Sequence, residues 1–281
     1  MRKLKLMTVV GTRPEIIKLS ETMKLADEAF DHVVAHTGQN YDYELNQVFF
    51  EGLGLREPDF HLGVAGDDLG QTMGNVLARS YRLMAKVRPD ALLVLGDTNS
   101  CLCVISAKRL KIPVFHLEAG NRCFDENLPE EVNRRIVDTV ADVNLCYSEH
   151  ARRNLAAMGC DPARTFVVGS PMREVLAAHA GDVEASDVLA REGLEPGRYI
   201  LLSAHREENI DIEANFAEMV EAVNALAEER GVPVLYSMHP RSRKFAEARR
   251  AKFHPLVRAH RPFGFADYVR LQKDALCVVS D

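Results

Sequence analysis

Short apolar runs alternate with amphipathic stretches along the chain from its first residues onward. Apolar runs of this length, bounded by glycine and polar residues, are typical of strands buried on both faces of a parallel sheet. The amphipathic stretches between them have the apolar spacing of helices that cover such a sheet. The pattern predicts strands at 4–10, 32–37, 91–96, 114–117, 143–147 and 165–168, and helices at 15–27, 43–52, 68–87, 100–110, 129–140 and 149–158.

A second β–α series follows a break at 169–171, a further helix and a polar stretch at 181–197. Its predicted strands lie at 199–204, 232–237, 257–261 and 275–280, and its helices at 212–230, 242–253 and 266–273. Two such series predict an α/β protein with two Rossmann-like domains facing a cleft, residues 1–172 in the first and 173–281 in the second. The last apolar run has the pattern of a core strand, so we expect the second domain to be truncated.

Composition excludes several classes of protein. The 281 residues are 47% hydrophobic, which is enough for two cores. The formal net charge of −6 gives no general attraction to nucleic acid or to an anionic membrane, so an anionic ligand has to be held by local basic groups and helix N-termini. There is no signal peptide and no apolar run near the roughly 18–20 residues of a membrane span, which predicts a soluble cytoplasmic protein. The six cysteines lack C-x-x-C pairs and zinc-like spacing, so we expect reduced thiols and no metal site.

A polar segment follows the strand predicted at 114–117. Glu118 falls at the C-terminal end of that strand, and ligands of open parallel sheets bind outside those ends. The next helix has Pro129 in its first turn, and Asn127 stands three residues before Glu130 as in a capping box. Glu130 and Arg134 share a helix face, which by itself is also the pattern of an exposed i,i+4 ion pair. Adjacency to Glu118 favours a functional interpretation.

Two further strand ends in the first half carry polar turns. The turn at 11–15 places Arg13 at a helix N-terminus, which is a ready anion site, although an ordinary βα turn with a surface arginine has the same pattern. This turn is not G-x-G-x-x-G, which argues against the usual dinucleotide fold. Asp97 follows the strand at 91–96, with Ser100 as a candidate N-cap. The polar segment 36–42 by itself indicates only a loop.

Two basic loops follow strands of the second half. His205 stands beside Arg206, and His239 lies near Arg241 and Arg243. A single histidine at a strand end is more often a structural hydrogen-bonding group than a catalyst. Together with their arginines, these histidines make loops suited to a diphosphate.

With these segments in view, the chain resembles the non-hydrolysing UDP-N-acetylglucosamine 2-epimerase family. The matching motifs, in the family's order, are G-T-R-P-E (11–15), T-G-Q-N-Y-D (37–42), G-D-T (96–98), E-A-G-x-R (118–122), P-E-E-x-N-R (129–134) and H-R-E-E-N (205–209). The family has the glycosyltransferase-B architecture of two Rossmann-like domains. It normally continues through a D-S-G-G-like turn, so the resemblance covers the whole of this chain but not the family's C-terminal portion.

One departure from the family pattern is informative. The commoner version of one motif is E-A-G-L-R-T, whereas this chain has E-A-G-N-R-C-F-D at 118–125. This version resembles the branch that converts UDP-2-acetamido-2,6-dideoxy-L-talose to UDP-N-acetyl-L-fucosamine for surface polysaccharide. The resemblance therefore implies either this 6-deoxy pair or UDP-GlcNAc and UDP-ManNAc as substrates, in a pathway such as lipopolysaccharide synthesis.

The resemblance also implies a mechanism and a set of residues. The family eliminates UDP to give a 2-acetamidoglycal and then returns the proton and UDP with inverted C2, so neither NAD nor another cofactor is expected. The implied catalytic residues are Asp97, Glu118, Glu130, Arg134 and His205. The implied substrate-binding residues are Arg13, Lys18, Gln39, Asn40, Arg122, Arg206, Asn209 and His239. The sequence does not assign acid and base among the carboxylates, and we expect a homodimer with UDP and the UDP-sugar as ligands.

Two other functions fit the same architecture. A UDP-sugar glycosyltransferase would transfer the sugar to an acceptor rather than isomerise the donor alone. An inactive sugar-nucleotide-binding protein is the non-enzymatic alternative. Incubation with a UDP-N-acetylhexosamine in deuterated water, without an acceptor, distinguishes them.

Overall fold

The computed structural model describes residues 2–38, 49–204, 206–238 and 240–281. Its contacts divide the chain into unit 1, Met1–Ala178, and unit 2, His179–Asp281. Each unit contains one parallel sheet with helical connections, so the predicted α/β class with two Rossmann-like units is confirmed.

Seven parallel strands form the sheet in the described part of unit 1. They are β1 (Lys5–Val10), β2 (Asp31–His36), β3 (Phe60–His61), β4 (Ala91–Leu95), β5 (Val114–Leu117), β6 (Val143–Cys146) and β7 (Thr165–Val167). Their order is β3-β2-β1-β4-β5-β6-β7, so the sheet extends in one direction from β1 to β3 and in the other from β4 to β7. Ligand crevices of open α/β sheets form where the strand order reverses, which in this unit is between β1 and β4.

The helices of unit 1 connect these strands. Those with described bounds are α1 (Arg13–Ala29), α2 (Leu69–Val87), α3 (Cys103–Arg109), α4 (Pro129–Val140), α5 (Glu149–Ala157) and α6 (Met172–Ala178). The sequence marks the starts of two of them: Asp68 accepts the N–H of Gln71 at the start of α2, and Pro129 occupies the first turn of α4. The helix α6 contacts α1 and therefore belongs to unit 1.

The core of unit 1 lies on the inner strands. Four consecutive residues of β4, from Leu92 to Leu95, are buried, which requires cover on both faces of the sheet. Met7 and Val9 of β1 join Leu92 and Val94 in one apolar cluster with side chains of α2 and α3. This packing fixes where the inner strands end and therefore where the polar turns lie.

Unit 2 also contains a parallel sheet. Its strands are β8 (Ile200–Ser203), β9 (Val234–Ser237), β10 (Val257–His260) and β11 (Cys277–Ser280), in the order β10-β9-β8-β11. Its helices are α7 (Ala180–Ala185), α8 (Val188–Glu192), α9 (Glu207–Ile210), α10 (Glu213–Arg230), α11 (Pro240–Ala248) and α12 (Phe265–Asp274). Phe216 and Val220 of α10 pack with Leu202 and Tyr236 of the central strands.

Two expected helix caps need correction. Asn127 does not cap α4: its backbone and side-chain N–H groups donate to Asp125, and Leu128 precedes the helix. Ser100 is not an N-cap, because the segment at 99–102 is a 3₁₀ turn capped by Thr98.

Two further elements were not predicted. The polar stretch at 181–197 contains α8 and part of α7, which bury Val188 and Val183 respectively. The two-residue strand β3 has a pattern too short to identify.

Within the described residues, no helix combines the length and the apolar character needed to cross a membrane.

Candidate active site

The turn after β4 brings Asp97 against Arg134 of α4. Gly96 has a φ of 77°, a conformation that glycine adopts at little cost, and it redirects the chain so that Asp97 leaves the strand end. Arg134 donates from Nε at 2.9 Å and from Nη2 at 2.6 Å to Oδ2 of Asp97. Both side chains are mostly buried, with 20% and 16% exposure. Arg134, whose spacing from Glu130 also fitted an exposed ion pair, therefore pairs with Asp97 at a neighbouring strand end.

Glu118 follows β5 and is held by three side chains. Lys18 of α1 donates to Oε2 at 2.6 Å, and the hydroxyl of Tyr147 donates to the same oxygen at 3.2 Å. Asn121 donates to Oε1 at 3.3 Å. The carboxylate is 15% exposed, so it keeps a surface through which a ligand can reach it. Lys18, which was predicted to contact the diphosphate, forms an ion pair with this carboxylate.

The surroundings of Asp97 make its carboxyl easier to protonate. Burial raises the pKa of Asp97 above its ordinary value, and the negative charges of Glu118 and Glu130 act in the same direction, whereas Arg134 opposes them. Glu130 itself is exposed in the first turn of α4. The charges of both other predicted carboxylates therefore act on Asp97.

Tyr147 is a hydrogen-bond donor at this site. Burial and the neighbouring Glu118 carboxylate raise the pKa of Tyr147 above its ordinary value, so the phenol stays protonated. The motifs in the sequence did not single out this residue. Its position directly after β6 was the available signal, because β6 is paired with β5 and its end lies beside that of β5.

Glu131, adjacent to Glu130, is fully buried and binds several donors. It accepts from the backbone N–H of Cys123 at 3.2 Å, from Arg134 at 3.3 Å and from Arg135 at 3.0 Å. Burial by itself raises the pKa of Glu131, but the hydrogen bonds from Cys123 and Arg135 and the charge of Arg134 lower it below its ordinary value overall. Glu131 thus stays anionic and ties the segment after Glu118 to α4.

The turn at Gly11 is packed against the ends of two other strands. A Cβ at Gly11 would lie 2.0 Å from Oγ of Ser100 and 2.1 Å from Oγ1 of Thr37, so no larger residue fits. Glu15 accepts from the N–H groups of Gly11 at 2.8 Å and Thr12 at 2.7 Å.

Glu15 also accepts from the hydroxyl of Thr98 at 2.9 Å. Thr98 directly follows Asp97, so Glu15 joins the turn after β1 to the turn after β4. The G-T-R-P-E motif therefore has a structural function in addition to its predicted role at a ligand. Arg13 of the same motif is half-buried, and its guanidinium lies 5.8 Å from the ring centroid of Phe49.

Arg122 lies behind the site rather than in its opening. Its side chain is 3% exposed, and Nη2 lies 2.7 Å from Oδ2 of Asp138. Its Nε lies 3.9 Å from Glu131. The prediction that Arg122 contacts substrate stays a prediction, and these distances add a buried ion pair that the motif alone did not reveal.

Of the predicted residues of unit 2, the structure describes Arg206 and Asn209. Arg206 is exposed, and its backbone N–H donates to Asp281 at 2.8 Å, while the side chain of Asn209 donates to the same carboxylate oxygen at 3.2 Å. Four predicted site residues lie outside the described residues: Gln39, Asn40, His205 and His239.

The described part of unit 1 therefore carries carboxylates at two adjacent strand ends, each with a cationic partner and each partly open. Such a pair of carboxylates is suited to removing a proton and returning it to a bound molecule. The buried groups around them fix their positions.

Comparisons with known proteins agree on one family. The family model described as UDP-N-acetylglucosamine 2-epimerase matches residues 23–281. The UDP-N-acetylglucosamine 2-epimerase of Methanocaldococcus jannaschii is 31% identical over 287 residues, which cover 99% of this chain and 78% of that protein. The UDP-2,3-diacetamido-2,3-dideoxy-D-glucuronate 2-epimerase of Pseudomonas aeruginosa is 32% identical over 283 residues, with coverage of 99% and 78%.

Solved structures give the same result. A UDP-N-acetylglucosamine 2-epimerase from Rickettsia bellii is similar with a TM-score of 0.87 and 44% identity, and the match covers 100% of this chain and 74% of that chain. The Methanocaldococcus jannaschii UDP-GlcNAc 2-epimerase in complex with UDP-GlcNAc and UDP has a TM-score of 0.92 and 31% identity, with coverage of 99% and 79%.

Proposed function

Because the chain belongs to the UDP-N-acetylglucosamine 2-epimerase family, we propose that it inverts C2 of a UDP-N-acetylhexosamine without hydrolysing the sugar nucleotide. The observation that carries this proposal is a pair of carboxylates at adjacent strand ends. Asp97 forms an ion pair with Arg134, and Glu118 forms one with Lys18. The related enzyme from Methanocaldococcus jannaschii was solved with UDP-GlcNAc and UDP, which supports UDP and a UDP-sugar as the ligands of this chain.

The proposed reaction begins with loss of UDP from C1. The proton on C2 has no neighbouring ketone and is only weakly acidic, but departure of the diphosphate gives C1 oxocarbenium character that acidifies it. A carboxylate of the site removes this proton, and a 2-acetamidoglycal and UDP result. Return of a proton to the opposite face of C2, with re-addition of UDP at C1, completes the inversion.

Two groups are needed because the proton leaves one face and returns to the other. Asp97 and Glu118 are the described candidates, with Glu130 as the third carboxylate of the group. Each carboxylate acts as base in one direction of the reaction and as acid in the reverse direction. Arg134 and Lys18 balance the charge of whichever carboxylate is ionised. The resemblance to the family supports Arg206, Asn209, His205 and His239 of unit 2 as the residues that bind the diphosphate.

The substrate subtype is part of the same proposal. Asn121 is one of the residues by which this chain departs from the commoner motif, together with Cys123, Phe124 and Asp125, and it contacts the proposed catalytic carboxylate of Glu118 at 3.3 Å. This placement supports a substrate choice made at the sugar rather than at the nucleotide, and we assign the 6-deoxy L-talo and L-fuco pair ahead of UDP-GlcNAc and UDP-ManNAc. The product would serve surface polysaccharide synthesis, and we propose a homodimer as the active form.

The test uses each UDP-sugar pair in deuterated water, with no acceptor, NAD or added metal, followed by NMR. We expect interconversion of the C2 epimers with one solvent deuteron incorporated at C2. Retention of the C2 proton, or a ketone intermediate, would contradict elimination. Turnover that begins only when an acceptor is added would instead indicate a glycosyltransferase, and binding without turnover would indicate an inactive binding protein.

A further inference from the structure

Asp138 of α4 lies behind the candidate active site and is buried, with 1% exposure. Its Oδ1 accepts from the backbone N–H of Gly120 at 3.1 Å and lies 2.9 Å from Nδ1 of His116. Its Oδ2 lies 2.7 Å from Nη2 of Arg122. One carboxylate therefore meets a histidine, an arginine and a backbone amide, all on or directly after β5.

Each partner of Asp138 leads to one of the proposed catalytic carboxylates. Nε2 of His116 donates to the backbone carbonyl of Gly96 at 2.8 Å, and Gly96 directly precedes Asp97. Gly120 and Arg122 belong to the turn that carries Glu118. Gly120 itself cannot be replaced, since a Cβ there would lie 2.3 Å from the carbonyl oxygen of Ala151. Both turns are thus anchored on a single buried side chain.

His116 is fully buried among these groups. Its Nε2 faces the carbonyl oxygen of Gly96, and its Nδ1 lies beside Oδ1 of Asp138 without hydrogen-bond geometry. Arg122 lies between Asp138 and Glu131, which supply the negative charge that a buried guanidinium needs.

We propose that Asp138 is a positioning residue for the epimerase reaction: through His116 it orients the turn that carries Asp97, and through Gly120 and Arg122 it orients the turn that carries Glu118. This inference rests on the proposed function. Proton transfer at C2 needs both carboxylates held close to their reacting positions, and a displacement of about 1 Å can cost on the order of 100-fold in rate.

The test compares Asp138→Asn with Asp142→Asn. Asp142 is a matched control because its carboxylate also supports β5, through the N–H of Val114 at 2.8 Å and Lys108 at 2.5 Å, but at the start of the strand. Epimerisation kinetics, thermal melting and UDP titration are measured on both variants and on the wild type. We expect Asp138→Asn to lower kcat about 10- to 100-fold while its affinity for UDP stays within about threefold. Asp142→Asn should keep its kcat at a comparable loss of Tm.

A kcat loss in Asp138→Asn no larger than in Asp142→Asn would overturn the proposal. If Asp138→Asn does not fold, His116→Gln tests the same proposal. This variant keeps the ion pair of Asp138 with Arg122 and removes the imidazole ring that lies between Asp138 and Gly96. We expect a lowered kcat with retained UDP affinity for this variant, and a wild-type kcat would overturn the proposal.

Proton NMR of the protein labelled with ¹⁵N-histidine tests the network without any turnover. We expect the imidazole signals of His116, whose Nε2 donates to Gly96, to shift in Asp138→Asn and to stay at their wild-type positions in Asp142→Asn. Unchanged His116 signals in Asp138→Asn overturn the proposed network. If the signals shift as expected but the wild type does not epimerise any UDP-N-acetylhexosamine, the proposed function is contradicted instead.

Discussion

Glu118 occupies a backbone conformation that side chains other than glycine rarely adopt. Its φ is 70°, and such a conformation costs about 1–3 kcal/mol unless the surroundings impose it. Lys18, Tyr147 and Asn121 hold its carboxylate, and this set of contacts explains why a glutamate tolerates the strained position. The sequence placed Glu118 at a strand end, but it could not reveal the partners, because they come from three separate segments.

Replacement of Glu118 by glutamine tests its role at the residue scale. We expect Glu118→Gln to lower kcat about 10²- to 10⁴-fold, since a neutral amide cannot accept the C2 proton. The fold should be retained, because the amide oxygen can still accept from Lys18 or Tyr147. Kinetics and a thermal melt on the same sample measure both effects.

The control for this prediction is Glu149→Gln. Glu149 also stands at a unit 1 helix start but is exposed and pairs with Arg152. Its replacement should leave kcat unchanged and Tm close to the wild-type value, since an exposed ion pair contributes little to stability. Equal turnover in the two variants would return Glu118 to a purely structural role.

At the scale of elements, the strands were largely predictable because their apolar runs are continuous and their ends carry polar residues. The strand at 114–117 and the helix at 129–140 agree with β5 and α4 at both ends. Helix starts were less predictable, as Asn127 and Ser100 show, since a cap depends on the path of the chain before the helix. The short helices within 181–197 were not predicted, because few apolar residues define their inner faces.

Two glycine substitutions with opposite expected signs test the packing of the turns. Gly11→Ala should destabilise unit 1 by about 1–3 kcal/mol, because the new Cβ would overlap Ser100 and Thr37. Gly74→Ala should stabilise it by about 0.5–1 kcal/mol, because Gly74 lies inside α2 with no atom within 4 Å of the added Cβ. Chemical unfolding of both variants measures the difference. A neutral Gly11→Ala would mean that the turn relaxes easily.

Acid stability tests the pairing of β2 with β3. Burial, and next the charge of His61, lower the pKa of His36 from 6.5 to about 4. Between these values the unfolded chain binds more protons than the folded one, so the contribution of His36 to stability is complete above about pH 6.5 and is lost as the pH falls towards 4. The loss is on the order of 3 kcal/mol at most.

The measurement is Tm against pH for the wild type, for His36→Gln and for His150→Gln, which changes an exposed histidine. His36→Gln should flatten the acid branch of the curve, whereas His150→Gln should reproduce the wild-type slope. Identical slopes in all three proteins would exclude His36 as the acid-sensitive group.

At the scale of the whole molecule, two β–α series were sufficient to predict two parallel sheets, each with its polar residues at the C-terminal ends of strands. That rule placed Asp97 and Glu118 at adjacent strand ends, and the resemblance to the family added their catalytic role. Tyr147 has the same strand-end position, although no motif singled it out. Glu131 and Asp138 did not follow from the rule, because their functions depend on contacts along α4 that no local pattern records.

The inward face of α4 has a consequence for how this protein tolerates changes in length. Glu131 and Asp138 are seven residues apart, which is close to two helical turns, and both hold the segment that follows Glu118. One residue inserted between them would rotate Asp138 by about 100° and turn it away from Gly120. An insertion at 124–127, before the helix begins, would leave both anchors in register. The loop at 124–127 can therefore change in length, whereas the number of residues between Glu131 and Asp138 has to stay the same.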